Sequence, residues 1–344
     1  MKLNAPKTIL PFICFAFVFC ASPASAGLDP NLWDTSTSPP SRKTQMKDVK
    51  VTVAAINSLF DRKDENFKKL RHACELAKKD GARIVFLPEG AITGHAGLKR
   101  MSEIGEPIPQ GTSHRKVIEM SKEFDLCIAV GTVEIKNGIA YNSYIVADKG
   151  KLVGVQRKIN LSSDEPRYFA AADKVETFDI GDIRFGISIC YDNDFPEIAM
   201  IHKLHDVDLI LAGHAERDGE WPSKLTPEFM KQKILRQQDK YSKMYRGSAR
   251  DYNIYILAVN AVGSALQDYN APPGVFSNHV GTVFGVDPMG DVILKTDATD
   301  KFIEEYRTVE LKADKKRFND NTTRNRNYVR VKAMLNKEFD AMGF

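Results

Sequence analysis

The stretch FGISICYDNDFPE, residues 185–197, predicts a strand, a turn and a helix with a reactive residue at the end of the strand. Its first half is an apolar run typical of a buried strand, and the run ends in the thiol of Cys190. A polar turn follows at once and leads into a predicted helix, so the thiol is expected to stand exposed beside backbone N–H groups and the positive helix end. Such surroundings favour a nucleophilic thiolate. A core cysteine is the alternative, although the polar sequence after Cys190 is not typical of a core.

Two further charged residues directly follow apolar strands. Glu89 lies in FLPEG after the apolar run at residues 83–87, and Lys158 lies in VQRKINL just past a predicted strand at residues 151–156. Ligands collect at the carboxyl ends of strands in open α/β sheets, so Glu89 is well placed for a general base. A lysine partly withdrawn from water can present a fixed positive charge to an oxyanion. Taken alone, each residue also has an ordinary interpretation, a solvated loop carboxylate or a lysine snorkelling from a strand edge.

Together these three side chains supply what the cleavage of an amide requires. An amide carbonyl resists attack, so the site needs a nucleophile, a base that accepts its proton and a cation for the oxyanion. Cys190, Glu89 and Lys158 provide one of each. The sequence therefore predicts that they form a catalytic triad.

Apolar periodicity predicts interleaved strands and helices with several consecutive strands, which favours an α/β fold with a mixed sheet. The predicted strands are residues 49–56, 83–87, 126–133, 141–147, 151–156, 175–180, 183–189, 207–212, 254–259, 279–286, 291–295 and 304–310. The predicted helices are residues 64–79, 113–124, 196–205 and 227–251. A polar, partly helical segment is expected after the last strand.

FLPEG, RKINL and ICYDNDFPE, in this order and spacing, resemble the three motifs of the carbon-nitrogen hydrolase (nitrilase) superfamily over residues 50–310. The resemblance implies an αββα sandwich with mixed sheets, commonly dimerised into a longer αββααββα stack. It also implies hydrolysis of a non-peptide carbon-nitrogen bond in a small-molecule amide, in a homo-oligomer and without a metal or organic cofactor. By the same resemblance, Glu89 matches the general base, Lys158 the oxyanion-stabilising lysine and Cys190 the nucleophile.

The resemblance also assigns supporting residues. Glu165 resembles the family's second glutamate, which helps to position the substrate or the lysine, and the adjacent Asp164 can exchange roles with it. The backbone N–H of Tyr191 would complete the oxyanion hole. His214 and Glu216, which follow the predicted strand at residues 207–212, are interpreted either as lining the pocket or as structural residues.

One departure from the family pattern concerns the substrate. After Cys-Tyr-Asp many relatives carry a Leu-Arg pair, where this chain has Asn193 and Asp194. If that arginine grips substrate carboxylates, a less acidic substrate is expected here. Tyr-Asp after the cysteine resembles the amidase and carbamoylase branches more than the Trp-Glu of true nitrilases. An N-carbamoyl amine hydrolase and a nitrilase stay open as alternatives, while an acyltransferase or an inactive binding protein is less favoured.

The N-terminus has the pattern of a secretory signal peptide. Lys2 and Lys7 precede an apolar run of 12 residues, 9–20, which leads to Ala24-Ser25-Ala26. The run is shorter than the roughly 20 residues that a membrane-spanning helix needs, so no stable membrane insertion is expected after cleavage. A periplasmic or secreted protein is therefore predicted. The predicted parts are a signal peptide at residues 1–26, a linker or tail at residues 27–47, and the hydrolase domain with a C-terminal extension at residues 48–344.

The composition, 43% hydrophobic and 27% charged, is typical of a packed soluble protein. A net charge of +4 does not indicate a nucleic-acid partner. The basic stretch at residues 231–250 is interpreted as the solvated face of a helix whose apolar stripe contains Ile234, Tyr241 and Tyr245. Cleavage would leave three cysteines, of which Cys74 and Cys127 are expected to be buried, with all three thiols free.

Overall fold

Two mixed β-sheets form the centre of the computed structural model, which describes residues 45–96, 100–162, 164–220, 226–265, 276–299 and 301–314, with residues 334 and 337. The strands are β1 (Val49–Ala55), β2 (Ile84–Phe86), β3 (Cys127–Lys136), β4 (Ile139–Asp148), β5 (Lys151–Arg157), β6 (Thr177–Asp179), β7 (Arg184–Ile189), β8 (Leu209–His214), β9 (Arg217–Glu220), β10 (Tyr255–Ala265), β11 (Phe276–Val286), β12 (Val292–Lys295) and β13 (Glu305–Leu311). The α-helices are α1 (Lys63–Asp80), α2 (Arg100–Glu103), α3 (Thr112–Phe124), α4 (Pro196–Leu204) and α5 (Pro227–Tyr252). Short 3-10 turns occupy Glu165–Arg167 and Cys190–Asp194.

Both sheets follow the same plan. The first has the strand order β13-β1-β2-β3-β4-β5, and the second has the order β12-β11-β10-β8-β7-β6, with β9 paired to β11. In each sheet three central strands run parallel, β1-β2-β3 in the first and β7-β8-β10 in the second, and antiparallel strands flank them. Because parallel strands end at the same edge, the loops after β2, β7 and β8 emerge at defined edges of their sheets.

The two sheets pack face to face. The main apolar cluster combines Val51 and Phe86 of the first sheet with Phe185, Leu211 and Leu257 of the second, all buried. A second cluster joins the other face of the first sheet to α1 and α3, while α5 packs against β10, β11 and β12 of the second sheet. The layers are therefore helix, sheet, sheet, helix, and the predicted αββα sandwich with mixed sheets is confirmed.

Local sequence explains the long helices. In α1, Phe67, Leu70, Cys74 and Ala77 are buried along one face, and Gly81 ends the helix with a positive φ of 70°. In α5, Thr226 caps the first turn by accepting a hydrogen bond from the Phe229 N–H. The stripe of Ile234, Tyr241 and Tyr245 is buried as predicted, and most basic side chains of α5 face outward.

The structure corrects some predicted elements. Strand β8 ends at His214, whereas the sequence pattern ended it at residue 212, so His214 belongs to the strand itself. The pattern also missed α2 and β9, because elements of four residues are too short to show a period. None of the helices in the described ranges is long and apolar enough to cross a membrane. The predicted signal peptide, most of the predicted linker and all but residues 334 and 337 of the C-terminal extension after residue 314 lie outside those ranges.

Two cysteines lie in the core, as predicted. Cys74 of α1 and Cys127 of β3 are fully buried, and both are free thiols, as is Cys190. Burial raises the pKa of Cys74 to about 12 and raises the pKa of Cys127 as well. Both thiols are therefore protonated and unreactive at neutral pH.

Gly131 of β3 allows the loop after β2 to lie directly on the sheet, and this close approach generates a stability prediction. A Cβ at Gly131 would collide with the Gly90 nitrogen and lie 2.5 Å from the Pro88 oxygen. Overpacking of this kind costs about 1–3 kcal/mol, so Gly131→Ala is expected to lower the free energy of unfolding by that amount in urea denaturation. The control is Gly247→Ala in α5, where a Cβ meets nothing within 4 Å. That variant is expected to gain up to about 1 kcal/mol, and equal stability of the two variants would contradict the close approach.

Candidate active site

The predicted triad residues all follow the ends of strands. Glu89 lies in the loop after β2, Lys158 directly follows β5, and Cys190 directly follows β7. Strand β5 runs in the same direction as β2, because β3 and β5 are both antiparallel to β4. The loops that carry Glu89 and Lys158 therefore emerge at one edge of the first sheet, and the second sheet contributes Cys190.

A buried ammonium joins two carboxylates at this edge. Lys158 Nζ donates to Glu89 Oε1 at 2.8 Å and lies 3.0 Å and 2.8 Å from the two carboxylate oxygens of Glu165. The side chains of Lys158, Glu89 and Glu165 are only 1%, 1% and 4% exposed. Glu165 is thus the acid that the structure brings to Lys158. The adjacent Asp164 instead lies 3.6 Å from Arg167.

Asn142 of β4 joins the same two carboxylates. Its Nδ2 donates to Glu89 Oε1 at 2.7 Å and to Glu165 Oε1 at 2.9 Å, and its backbone oxygen accepts from the Lys158 N–H. The second oxygen of Glu89 accepts from the Ala215 N–H at 2.8 Å, across the interface between the sheets. Both oxygens of the Glu89 carboxylate therefore accept hydrogen bonds, which fixes its orientation.

The charges in this cluster stabilise one another. Burial, the largest effect, raises the pKa of Glu89, but attraction to Lys158 and His95 outweighs it and holds that pKa below its ordinary value. For Glu165, burial likewise raises the pKa, and His95 and Lys158 together lower it further than burial raises it. Burial lowers the pKa of Lys158, but Glu89 and Glu165 raise it above its ordinary value. The two acids are ionised and the lysine is cationic at neutral pH.

Cys190 lies on a strained turn. Its φ of 48° is in the left-handed region that a residue with a Cβ seldom adopts, as expected for a nucleophile between a strand and a helix. Asp192 holds the turn by accepting from the Ile189 N–H at 3.1 Å, and the Asn193 side chain donates to the Cys190 oxygen at 2.9 Å. The side chain of Tyr191 is 37% exposed and stacks edge-to-face on Phe195. Its predicted contribution is the backbone N–H, whose role stays a prediction.

Asp192 also joins the nucleophile's turn to the segment after Lys158. Its Oδ1 accepts from the backbone N–H groups of Ile159 at 3.2 Å and Asn160 at 2.6 Å. The Asp192 side chain is buried, so these contacts are shielded from water. One carboxylate therefore sets the distance between the strand ends that carry Lys158 and Cys190.

The thiol of Cys190 is partly buried and protonated at rest, which corrects the expectation of an exposed thiol with a favoured thiolate. Burial is the largest effect and raises its pKa well above the ordinary value, Glu89 raises it further, and Lys158 opposes them. A thiol of this kind needs a base to take its proton before it can attack. Glu89 is ionised and electrostatically coupled to the thiol, so it is suited to that task.

His214 and Glu216 form a wall beside the thiol. The reactive atoms of Cys190, His214 and Glu216 all lie within 4.8 Å of one another. His214 is fully buried, its Nε2 lies 2.6 Å from the Tyr245 hydroxyl, and its Nδ1 lies 3.4 Å from Glu216 Oε1. Lys240 of α5 reaches the same Glu216 oxygen at 2.6 Å. The structure thus brings His214 to the site and gives it structural partners as well.

Two groups of side chains have donor sets that can hold a metal ion. One is Cys190, His214 and Glu216, and the other is Glu89, His95 and Glu165. In each group a lysine ammonium already contacts a carboxylate, Lys240 in the first and Lys158 in the second. The expectation that no metal takes part stays a prediction.

Sequence reasoning missed three residues of the site. Asn142 is a polar residue in an otherwise apolar strand, which is a signal that could have been read. Asp192 lay inside the quoted motif without an assigned role. His95, in the loop after β2, carried no local signal, because its significance depends on the two carboxylates that the fold brings to it.

A family model described as carbon-nitrogen hydrolase matches residues 50–314, which is most of the chain. The chain belongs to the carbon-nitrogen hydrolase family.

The chain is 32% identical over 165 residues to a nitrilase from Pyrococcus abyssi, covering 47% of its own length and 63% of the nitrilase. It is 28% identical over 264 residues to an omega-amidase from Bos taurus, covering 73% and 84% of the two chains. The matched segments span 48% and 47% of two Schizosaccharomyces pombe relatives, a probable nitrilase and a hydrolase. The chain therefore matches less than two thirds of the length of these two relatives and of the Pyrococcus nitrilase.

Solved structures share the fold of this chain. A carbon-nitrogen hydrolase from Helicobacter pylori G27 has a TM-score of 0.62 at 20% identity, covering 75% of this chain and 89% of that one. An amidase mutant from Nesterenkonia sp. AN1 has a TM-score of 0.61 at 14% identity, covering 81% and 97%. In that amidase the acetamide moiety of fluoroacetamide is covalently added at the active-site cysteine.

The contacts of Asp192 generate a prediction about the site. Asp192→Asn replaces an acceptor oxygen by an NH₂ group that would face backbone N–H donors, so stability is expected to fall by about 1–3 kcal/mol in urea denaturation. Activity is expected to fall with it, because Lys158 and Cys190 lose their link. Asp194→Asn, on an exposed side chain of the same turn, is the matched control and is expected to leave stability unchanged. Equal losses of stability and activity in Asp192→Asn and Asp194→Asn would contradict a specific role for the contacts of Asp192.

Proposed function

We propose that this protein hydrolyses a non-peptide carbon-nitrogen bond of a small amide through a thioester on Cys190. The observation that supports this most directly is the contact of 2.8 Å between Glu89 and Lys158, beside the turn that presents the thiol. Glu89, Lys158 and Cys190 each follow the end of a strand, and the charges of Glu89 and Lys158 both act on the pKa of the thiol, which supports the roles of base, cation and nucleophile. The family match supports the reaction class, and the triad assignment is part of the proposal.

The first half of the reaction forms the acyl-enzyme. Glu89 accepts the thiol proton of Cys190, and the thiolate attacks the amide carbon. Lys158 and the Tyr191 backbone N–H stabilise the oxyanion of the tetrahedral intermediate. Protonated Glu89 then gives its proton to the leaving nitrogen, the carbon-nitrogen bond breaks, and ammonia or an amine departs. The thioester remains on the enzyme.

The second half regenerates the thiol. Glu89, ionised again, takes a proton from water, and the resulting hydroxide attacks the thioester carbon. Collapse of the intermediate breaks the carbon-sulfur bond, and the proton on Glu89 returns to the thiolate as the carboxylic acid leaves. Glu165 keeps Lys158 oriented through both halves.

Other substrates and activities are separable by experiment. An N-carbamoyl amine hydrolase and a nitrilase use the same nucleophile on a different carbon. An acyltransferase would pass the acyl group to an amine, and an inactive binding protein would form no adduct. A panel of amides, carbamoyl amines and nitriles, assayed for ammonia release with and without added amine, distinguishes these activities. The Tyr-Asp pair after Cys190 favours the amide and carbamoyl branches.

Export and assembly belong to the same proposal. The signal-peptide pattern of residues 1–26 supports a periplasmic or secreted protein. A mature chain that begins at Gly27 is the expected result of N-terminal sequencing, and an uncleaved chain would contradict it. The resemblance to the family supports a homodimer, which sedimentation velocity would distinguish from a monomer.

The mechanism predicts distinct results for two variants. Cys190→Ala is expected to show no acyl adduct by intact mass and no hydrolysis. Glu89→Gln is expected to lose about 10²–10⁴-fold in kcat, because the thiol keeps its proton. Asp164→Asn is the control, since Asp164 contacts Arg167 rather than Lys158, and wild-type rates are expected for it. Hydrolysis by Cys190→Ala would refute the proposal.

The turn after Cys190 predicts a substrate preference. Asn193 and Asp194 stand where many relatives carry Leu-Arg, so simple aliphatic amides are expected to be turned over faster than mono-amides of dicarboxylic acids. The double variant Asn193→Leu/Asp194→Arg is expected to raise kcat/KM for the acidic amides. The ratio of kcat/KM for the two substrate classes is the measurement. Faster turnover of acidic amides by the wild-type protein would contradict this preference.

A further inference from the structure

The buried cluster around Lys158 carries an uneven set of charges. Glu89 and Glu165 contribute two carboxylates, and Lys158 contributes one ammonium at 2.8 Å from each of them. Burying an uncompensated charge is costly, so another group that donates to the carboxylates would be stabilising. His95 is the side chain that the fold brings to the same two oxygens.

The position of His95 is fixed by its loop. Gly94, with a φ of 71°, lies so close to the backbone of Phe60 that a Cβ would collide with it. The Asp61 N–H donates to the Thr93 oxygen at 2.9 Å, which ties the loop to the segment after β1. The His95 side chain is 10% exposed, so it is held in the site rather than free in solvent.

The contacts of His95 repeat those of Asn142. His95 Nε2 lies 3.5 Å from Glu165 Oε1 and 3.8 Å from Glu89 Oε1, the two oxygens that also receive Asn142 Nδ2. The two carboxylates would repel a lone pair on this nitrogen and attract an N–H in its place. Its distances are long for strong hydrogen bonds but short enough for electrostatic attraction.

We propose that His95 is a positioning residue whose Nε2–H is a third donor bridging Glu89 and Glu165, and that it keeps Glu89 ionised as the base. The inference rests on the proposed function. His95 does not transfer a proton in this scheme, because the thiol proton moves to Glu89 alone. Electrostatics supports the same role, since attraction to His95 lowers the pKa of both the Glu89 and the Glu165 carboxyl groups.

Other titratable groups act on the same pocket. Lys158 and Glu165 face it from the segment after β5, and Tyr168 directly follows the 3-10 turn Glu165–Arg167. From the second sheet, the charge of Arg217 on β9 acts on His279 of β11, as does that of His95. Burial lowers the pKa of His279 to about 3, so it is neutral at ordinary pH. Burial raises the pKa of Asp192 to about 6, and this group is the same in the wild type and the His95 variants. The difference between their acid limbs therefore reports on Glu89 and Glu165.

The test compares pH profiles of kcat/KM for an amide that the wild-type protein turns over. The acid limb reports ionisation of the base in the free enzyme. Removing a donor raises the pKa of Glu89, so His95→Leu is expected to shift the acid limb upward by about one pH unit. His95→Gln keeps an N–H donor and is expected to move the limb back toward the wild-type position. The control is His72→Gln on α1, whose side chain is 53% exposed, and its profile is expected to match the wild type.

An acid limb in His95→Leu that coincides with the wild type would overturn the role of His95 alone, while the proposed function stands on wild-type hydrolysis and its loss in Cys190→Ala. If His95→Leu does not fold, nitrogen-15 NMR of the wild-type histidine rings decides the matter. A protonated Nε2 on His95 is the expected result, and an unprotonated Nε2 would overturn the inference.

Discussion

The ammonium of Lys158 is the interaction on which the rest of the site depends. Two ionised carboxylates that share buried space repel each other, and each would lose its water without compensation. Lys158 lies within 3.0 Å of an oxygen of both Glu89 and Glu165 and removes that conflict. Glu89 and Lys158 follow different strands, so the ion pair also fixes the relative positions of the segments that follow β2 and β5.

The site spans both sheets, so its geometry depends on how they pack. The Ala215 N–H from the second sheet holds Glu89 of the first, and Asp192 from the second holds the backbone after Lys158. The apolar cluster shared by the two sheets contains Tyr144, whose hydroxyl donates to the Leu87 oxygen at 3.0 Å. In each of these links a backbone N–H of one sheet's chain segment donates to a carboxylate from the other, so the packing of the sheets and the geometry of the proposed site depend on each other.

The sequence predicted the triad because each member follows an apolar strand that local periodicity reveals. It predicted Glu165 only through the family resemblance and left Asp164 open, since a spacing of one residue does not say which side chain turns inward. Asn142 escaped prediction because Glu89 lies 53 positions away in sequence and meets it only after the sheet forms. His95 escaped prediction because its contact with Glu165 likewise forms only in the folded chain. The end of β8 was misplaced by two residues, since the backbone pairing of His214 with Asn260 of β10 extends the strand beyond its apolar run.

The protonated state of Cys190 has a consequence for chemical durability. Peroxides oxidise thiolates far faster than thiols, and the first product, a sulfenic acid, leads on to irreversible forms. A thiol kept protonated by burial and by the neighbouring Glu89 is therefore slow to oxidise. In the proposed mechanism it becomes vulnerable only when its proton moves to Glu89, so the electrostatics that delay attack on a substrate also preserve the thiol between turnovers.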